Sequence, residues 1–226
     1  MQTDLDFEYL YKNRDEAYRE LFELIPKDIE YDDNWRIISI SINNLPQVCK
    51  ISEKLAIECE PFFTEEISAP NNKECTVAVV SELKEIVMHK NLVKSFDISE
   101  DYIYDISEKI FNSVILTKLY AFKMGEALKD IKDKNIMIFT DGCETGLNTL
   151  CTIKSLLNGG VKKIFLFTPI ISDDLYQSLD MIVDRIFTSH RLKNFIRISY
   201  YFENFEDVDI DKLRYELEKR RKSING

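Results

Sequence analysis

Residues 136–149 read Ile136-Met137-Ile138-Phe139-Thr140-Asp141-Gly142-Cys143-Glu144-Thr145-Gly146-Leu147-Asn148-Thr149. Four apolar side chains in a row mark a strand buried on both faces, as in a parallel sheet covered by helices. An acidic residue and a short Gly/Thr loop follow, and the chain then opens directly into a helix. Such a junction brings free backbone N–H groups and the positive end of a helix to one place, which suits an anion. Gly146 lets the backbone come close, Thr145 and Thr149 add hydroxyl donors, and Asp141, at the strand's carboxyl end, can accept from sugar hydroxyls. Ligands in open α/β sheets bind at this edge. A plain strand–turn–helix junction also needs a glycine and a cap, so Thr145 serves equally well as an N-cap. The segment is not a P-loop, because the lysine of GxxxxGK[ST] is absent, and GxGxxG is absent too.

On the amino-terminal side, residues 7–24 keep Leu10, Ala17, Leu21 and Leu24 on one helical face, and Pro26 ends the helix. Residues 35–42 (WRIISISI) alternate as a first strand, Asn43-Asn44 makes a turn, and 45–56 reads as a helix. A second strand is expected over 61–67, and a short strand pair over 75–80 and 85–88. Ser99 and the acids after it open a long helix, with Ile103, Ile106, Ile110, Val114 and Ala121 in period, reaching about Leu128. That helix covers the sheet edge or pairs with a second subunit. Beyond the opening segment, strands over 161–168, 182–187 and 195–202 alternate with helices over 146–158, 173–179 and 210–222. Such alternation implies one compact α/β domain, a parallel sheet flanked by helices, and a length of 226 residues also fits a domain with a small accessory lobe.

Composition narrows the partners. Hydrophobic residues are 45% of the 226, and only 6 Gly and 5 Pro interrupt them, which argues against disorder and against a turn-rich β-sandwich. The net charge of −10 repels phosphate backbones and anionic lipid, so neither nucleic acid nor a membrane surface is an expected partner. No apolar stretch approaches the ~18 residues of a membrane span. Residues 1–6 lack the basic start and apolar run of a signal peptide. Cys49, Cys59, Cys75, Cys143 and Cys151 form no CxxC pair and are joined by only two histidines, His89 and His190. No metal site and no disulfide framework are read, only reduced thiols in the cytoplasm. Cys143, at a helix N-terminus, is a candidate thiolate. His190, with Arg191 and Lys193, is expected on a solvated loop, and Tyr200-Tyr201-Phe202 with Phe205 in core or interface. Arg220-Arg221-Lys222 complements the dipole at the end of the last helix.

The 136–149 segment resembles the phosphoribosyl-pyrophosphate loop of type I phosphoribosyltransferases: apolar residues, two acids, then a loop ending Thr-Gly-x-x-Thr. The chain is similar, from about Trp35 to Leu213, to a bacterial branch of that family. In that branch a strand leads to Pro-Arg-Gly-Gly, then to Arg-Lys-x-Gly-x-Pro-x-Asn-Pro-Glu, and an aromatic segment Phe-x-x-Val-Gly-x-x-Tyr-x-Asp-Phe closes the pattern. Residues 65–74 (EEISAPNNKE) and 195–205 (FIRISYYFENF) keep the spacing. The resemblance implies a Rossmann-like phosphoribosyltransferase domain over 35–213, preceded by a helix and lead-in over 1–34 and followed by a helix end over 214–226. It also implies a homodimer, with the long helix as its interface.

The departures fall on the phosphate-facing positions. Thr140 replaces the first acid and leaves Asp141 alone; Glu144 stands where the loop, with Gly142, Cys143, Thr145, Gly146 and Thr149, expects a small residue. A carboxylate about 5 Å from a phosphate charge costs roughly 3 kcal/mol at an effective dielectric near 20 unless it turns outward. Pro-Arg-Gly-Gly becomes Ser41-Ile42-Asn43-Asn44, where the asparagines tolerate a left-handed turn but supply no charge. Arg-Lys becomes Glu65-Glu66. Lys73, Lys84 and Arg197 are the candidates to bring a cation to the loop, and Glu74 matches the family's glutamate or braces a turn. Family chemistry would be displacement at ribose C1, with pyrophosphate leaving on Mg²⁺. The altered motifs imply a degenerate protein, non-catalytic or weakly active, that binds a phosphoribosyl or nucleotide-like molecule or a protein partner. The alternative is an active phosphoribosyltransferase, Mg²⁺-dependent, acting on an unknown base or amine.

Overall fold

Successive side chains of a strand point to opposite faces, so an uninterrupted apolar run must be covered twice. The computed structural model describes residues 9–224, and at 216, 218 and 220–224 the backbone only. Residues 1–8 and the side chains of Arg220, Arg221 and Lys222 therefore lie outside the described residues. The described strands are β1 Trp35–Ser39, β2 Cys59–Pro61, β3 Thr64–Ala69, β4 Asn72–Ser81, β5 Ile86–Met88, β6 Asn135–Phe139, β7 Lys163–Ser172 and β8 Arg185–Leu192. The helices are α1 Arg14–Glu23, α2 Leu45–Leu55, α3 Lys90–Ser95, α4 Glu100–Ile110, α5 Leu116–Lys123, α6 Leu147–Asn158, α7 Asp173–Asp180 and α8 Ile210–Ile224. A π turn, Phe111–Ile115, joins α4 to α5.

The central sheet is fully parallel in the order β2-β1-β6-β7-β8, and β3-β4-β5 make a separate antiparallel sheet. Ile37, Met137, Phe139, Phe165 and Phe167 bury one face of the central sheet with α1 and α2. Ile38, Ile136, Ile138, Ile164 and Leu166 bury the other with α6 and α7. Right-handed crossovers explain the division. β1–α2–β2 steps one way along the sheet, while β6–α6–β7 and β7–α7–β8 step the other way, which sends their helices to opposite faces. The α2 face over β7 and β8 then has no crossover helix of its own, and α1 fills it by packing on β7, β8 and α2. A ring ladder, Phe139–Phe167–Phe187, crosses this face with centroids 4.8 and 4.5 Å apart.

The accessory lobe packs β3 and β4 with α4, the π turn and α5 around Ile67, Val80, Ile103, Ile115 and Leu119. Ser99 caps α4, its hydroxyl accepting from the Tyr102 amide at 3.2 Å. The helix stops at Lys123, earlier than Leu128, because Met124 turns left-handed at φ 56°. Tyr120 and Met124 at this end are 71% and 72% exposed, the largest apolar exposure on α5.

Four further expectations are corrected. The first helix begins at Arg14: Asn13 caps it by accepting from the Glu16 amide at 3.1 Å, and Tyr11 instead bridges to Phe202. The strand expected over 61–67 is two elements in two sheets. The Phe62 amide donates to Ser39 O in the central sheet, while the Phe63 amide donates to the Glu82 carboxylate. Residues 195–202 form no strand but a 3₁₀ turn at Ile198–Tyr201. There the Tyr201 hydroxyl accepts from the Ile196 amide and donates to Asn194 O, both at 3.1 Å, so backbone groups are satisfied without a ladder. The last strand instead runs Arg185–Leu192, which puts His190 in β8 opposite Ile170 rather than in a loop.

Candidate functional site

Strand order reverses its direction of growth between β1 and β6, and the loops leaving their carboxyl ends meet there. This is the switch point at which open α/β sheets bind ligands. Ser41, Ile42, Asn43 and Asn44 follow β1; Thr140 to Gly146 follow β6. The structure brings both groups together, but through contacts within the chain.

Asp141 is buried and ion-paired with Arg14 of α1, whose Nε donates to Oδ2 at 2.9 Å. The Tyr18 hydroxyl donates to Oδ1 at 3.3 Å. Asn44, fully buried, donates through Nδ2 to the Tyr18 hydroxyl and accepts from the Ser39 hydroxyl. A chain of bonds thus links the two loops through a tyrosine of α1. Arg14 is itself held from behind: Nη1 donates to Glu206 O, and the guanidinium stacks 3.8 Å from the centroid of Phe205. Burial pushes the Asp141 carboxyl above its ordinary range, against the pull of Arg14 and of the Tyr18 hydrogen bond. Burial and the neighbouring Asp141 push the Tyr18 phenol well up.

The remaining loop side chains also make contacts within the chain. Thr140 donates through its hydroxyl to Gly142 O at 2.9 Å, a bond an ionised acid at that position could not donate. Thr149 is buried with its hydroxyl 3.4 Å from Cys143 Sγ, turned into the core. Burial lifts the Cys143 thiol to about 11, so it stays protonated at neutral pH and the candidate thiolate is withdrawn. Thr145 Oγ1 accepts weakly from the Leu147 amide at 3.4 Å. Glu144 is exposed, and its carboxylate accepts from the Ile198 amide at 2.8 Å, tying the loop to the 3₁₀ turn.

Two glycines of the loop are required by packing. A methyl at Gly142 would stand 2.7 Å from Ile198 Cγ1, and one at Gly146, where φ is +73°, would overlap Leu175 Cδ1. Gly160 has a similar φ of +76° but only Lys132 Cγ at 3.5 Å beside it. Gly146→Ala is therefore expected to cost about 1–3 kcal/mol and Gly160→Ala less, compared by urea midpoints. Equal losses at the two positions would show that Leu175 does not constrain the loop.

The turn after β1 is a 3₁₀ turn over Ile42–Asn44, and Asn44 has φ −99°, so the left-handed freedom expected of its asparagines is not used. Asn43 is bonded to the segment before α8, donating to Asp207 Oδ1 at 2.6 Å and accepting from the Val208 amide at 3.1 Å. Glu65 pairs with Lys118 of α5. Glu66 accepts from Asn148 Nδ2 at 2.8 Å and from Thr76 Oγ1 at 2.6 Å. That places a carboxylate beside the first turn of α6, where the helix dipole favours negative charge. Glu74 is exposed near the start of β4, its amide donating to Asn72 Oδ1 at 3.1 Å.

The cation that meets Asp141 is none of Lys73, Lys84 or Arg197. Lys73 offers its carbonyl to Ser68, Lys84 lies 4.8 Å from the Phe111 ring centroid, and Arg197 precedes the 3₁₀ turn. Arg14, Tyr18 and Glu206 were the residues missed. One signal was present: Arg14 shares the apolar face of its helix with Ala17, Tyr18 and Leu21, and a charge on a buried face requires a partner.

No family model matches the sequence. In its fold the chain is similar to the crystal structure of TT1426 from Thermus thermophilus, with a TM-score of 0.72 at 15% identity over 92% of this chain and 97% of that one. A looser match is the purine phosphoribosyltransferase from Pyrococcus horikoshii, with a TM-score of 0.46 at 15% identity over 87% and 91% of the two chains. At such identities the likeness is one of fold.

Proposed function

We propose that this chain is a phosphoribosyltransferase-fold protein that does not catalyse phosphoribosyl transfer and acts by binding. The observation that carries this reading is the buried Arg14–Asp141 pair. Asp141 is the acid left to hold ribose hydroxyls, and a guanidinium from α1 already takes its charge. Of the loop's other side chains, Glu144 is bonded to the 3₁₀ turn, and Thr140, Thr145 and Thr149 are bonded within the loop and the first turn of α6. A departing pyrophosphate needs preorganised positive charge, yet Glu65 and Glu66 bring the opposite sign to the facing lobe. Nor do the loop residues fit Mg²⁺: Thr140 is spent on Gly142 O, and Asp141 is bonded to a cation.

Calorimetric titration with phosphoribosyl pyrophosphate and Mg²⁺, with Asp141→Asn as control, tests this. The expected result is no saturable heat up to about 1 mM, weaker than about −4 kcal/mol. Micromolar binding lost in Asp141→Asn would overturn it. The active alternative, transfer to a base or amine acceptor, would then take its place, with α1 withdrawing Arg14 before substrate enters.

A further inference from the structure

Helices α1 and α2 lie side by side, and between them opens a cleft of about 300 Å³, the lower end of the range for small-molecule sites. Tyr18, Phe22 and Ile51 form its apolar wall. Arg19, Lys50 and Lys54 stand at its rim with a single carboxylate, Asp15. The α2 residues Gln47, Lys50, Ile51 and Lys54 follow helical spacing, so one face of α2 addresses the cleft.

The charge balance there is unlike that of the rest of the chain. Lys50 is paired with Asp15 at 2.9 Å. Among the described residues neither Arg19 nor Lys54 makes an ion pair, which leaves a local charge of +2 in a protein of net charge −10. Lys54 is held in place, its Nζ 4.3 Å from the Phe22 ring centroid. A helix pair built only for stability would set carboxylates opposite these cations, and the cleft supplies one for three.

We propose that this cleft binds a small organic phosphate monoester, at a site separate from the loop after β6. A monoester carries about −1.5 to −2 charge at pH 7, which matches Arg19 and Lys54 together. Phe22 and Ile51 offer an apolar wall to the organic part. Tyr18 gives the occupant a neighbour whose hydroxyl bonds Asp141.

The test is ¹H–¹⁵N NMR on the full chain, titrated at constant ionic strength with phenyl phosphate, inorganic phosphate and phenol in turn. Phenyl phosphate is expected to give saturable shifts of amides in 15–22 and 47–54, with a dissociation constant below about 1 mM. Arg19→Glu and Lys54→Glu should each weaken binding about tenfold or more, whereas Asp15→Asn, which frees Lys50, should tighten it. No saturable shifts, or shifts that survive both charge reversals, would overturn the proposal. So would inorganic phosphate binding as tightly as phenyl phosphate, because the apolar wall would then contribute nothing.

Discussion

Replacing Arg14 with methionine is expected to destabilise the protein by about 3–5 kcal/mol, because it leaves a buried carboxylate without its counter-charge. Asp141 is sealed beneath α1, with side chains on both sides of the pair only 7% exposed. The same substitution removes the bond to Glu206 O and the stacking on Phe205. Asp141→Asn should cost less: the amide still accepts from Arg14, and Arg14 keeps Glu206 and Phe205. The double substitution should recover much of the Arg14→Met loss, since a neutral pair carries no uncompensated charge. Acidity gives an independent check. Burial raises the folded carboxyl above its unfolded value, so folding takes up a proton, and stability from this group is present below the unfolded value and lost as pH rises. Without Arg14 that rise is larger. The deficit of Arg14→Met should therefore shrink as pH falls toward about 4, the ordinary aspartate range, and widen toward neutrality. A loss independent of pH, or equal to that of Asp141→Asn, would mean that packing rather than charge holds α1 to the loop.

The inner strands β6 and β7 were legible because burial on two faces leaves a plain mark in sequence: Ile136 to Phe139 and Ile164 to Phe167 are apolar at every step. Legibility failed where one apolar run served two sheets. Pro61, Phe62 and Phe63 read as continuous, yet the chain changes partner between Phe62 and Phe63, and only the long-range bonds to Ser39 and Glu82 reveal it. It failed again at 195–202, where aromatic enrichment reflects packing of Tyr201 and Phe202 against the core rather than strand pairing. The strand–loop–helix junction after β6 was legible in the sequence. Its closure was not, because Arg14 is 127 residues away and belongs to no motif. The resemblance set Glu65 and Glu66 against an Arg-Lys pair and Glu144 against a small residue, but it did not reveal that each carboxylate has a partner within the chain.

Lys123→Met is expected to have an effect of similar size in a different part of the molecule. Lys123 ends α5 with its side chain 4% exposed, and its Nζ lies 2.5 Å from Glu82 and 2.6 Å from Glu60. Glu60 belongs to β2 of the central sheet and Glu82 to the turn after β4, so one ammonium ties the accessory lobe to the sheet edge. Glu82 is fully buried and also accepts from the Phe63 amide at 2.8 Å and the Leu128 amide at 2.7 Å. Without Lys123 two carboxylates face each other, one out of reach of water, and the loss should reach about 3–5 kcal/mol. Burial already lifts the Glu82 carboxyl above its usual value, with Lys123 and the two amides opposing it. Removing the lysine raises it further, so the variant regains stability as pH falls toward about 4.3 and loses it as pH rises. Glu82→Gln in the same chain should restore only part of the loss at neutral pH, because its single carbonyl oxygen can accept from Phe63 or Leu128 but not from both. Hydrogen exchange locates the damage: amides of β3, β4 and β5 should lose protection well before those of β6 and β7, since the lobe then opens without the sheet. Equal loss in both sheets would show that the accessory lobe and the parallel sheet unfold as one unit, and that Lys123 stabilises the whole rather than the joint between them.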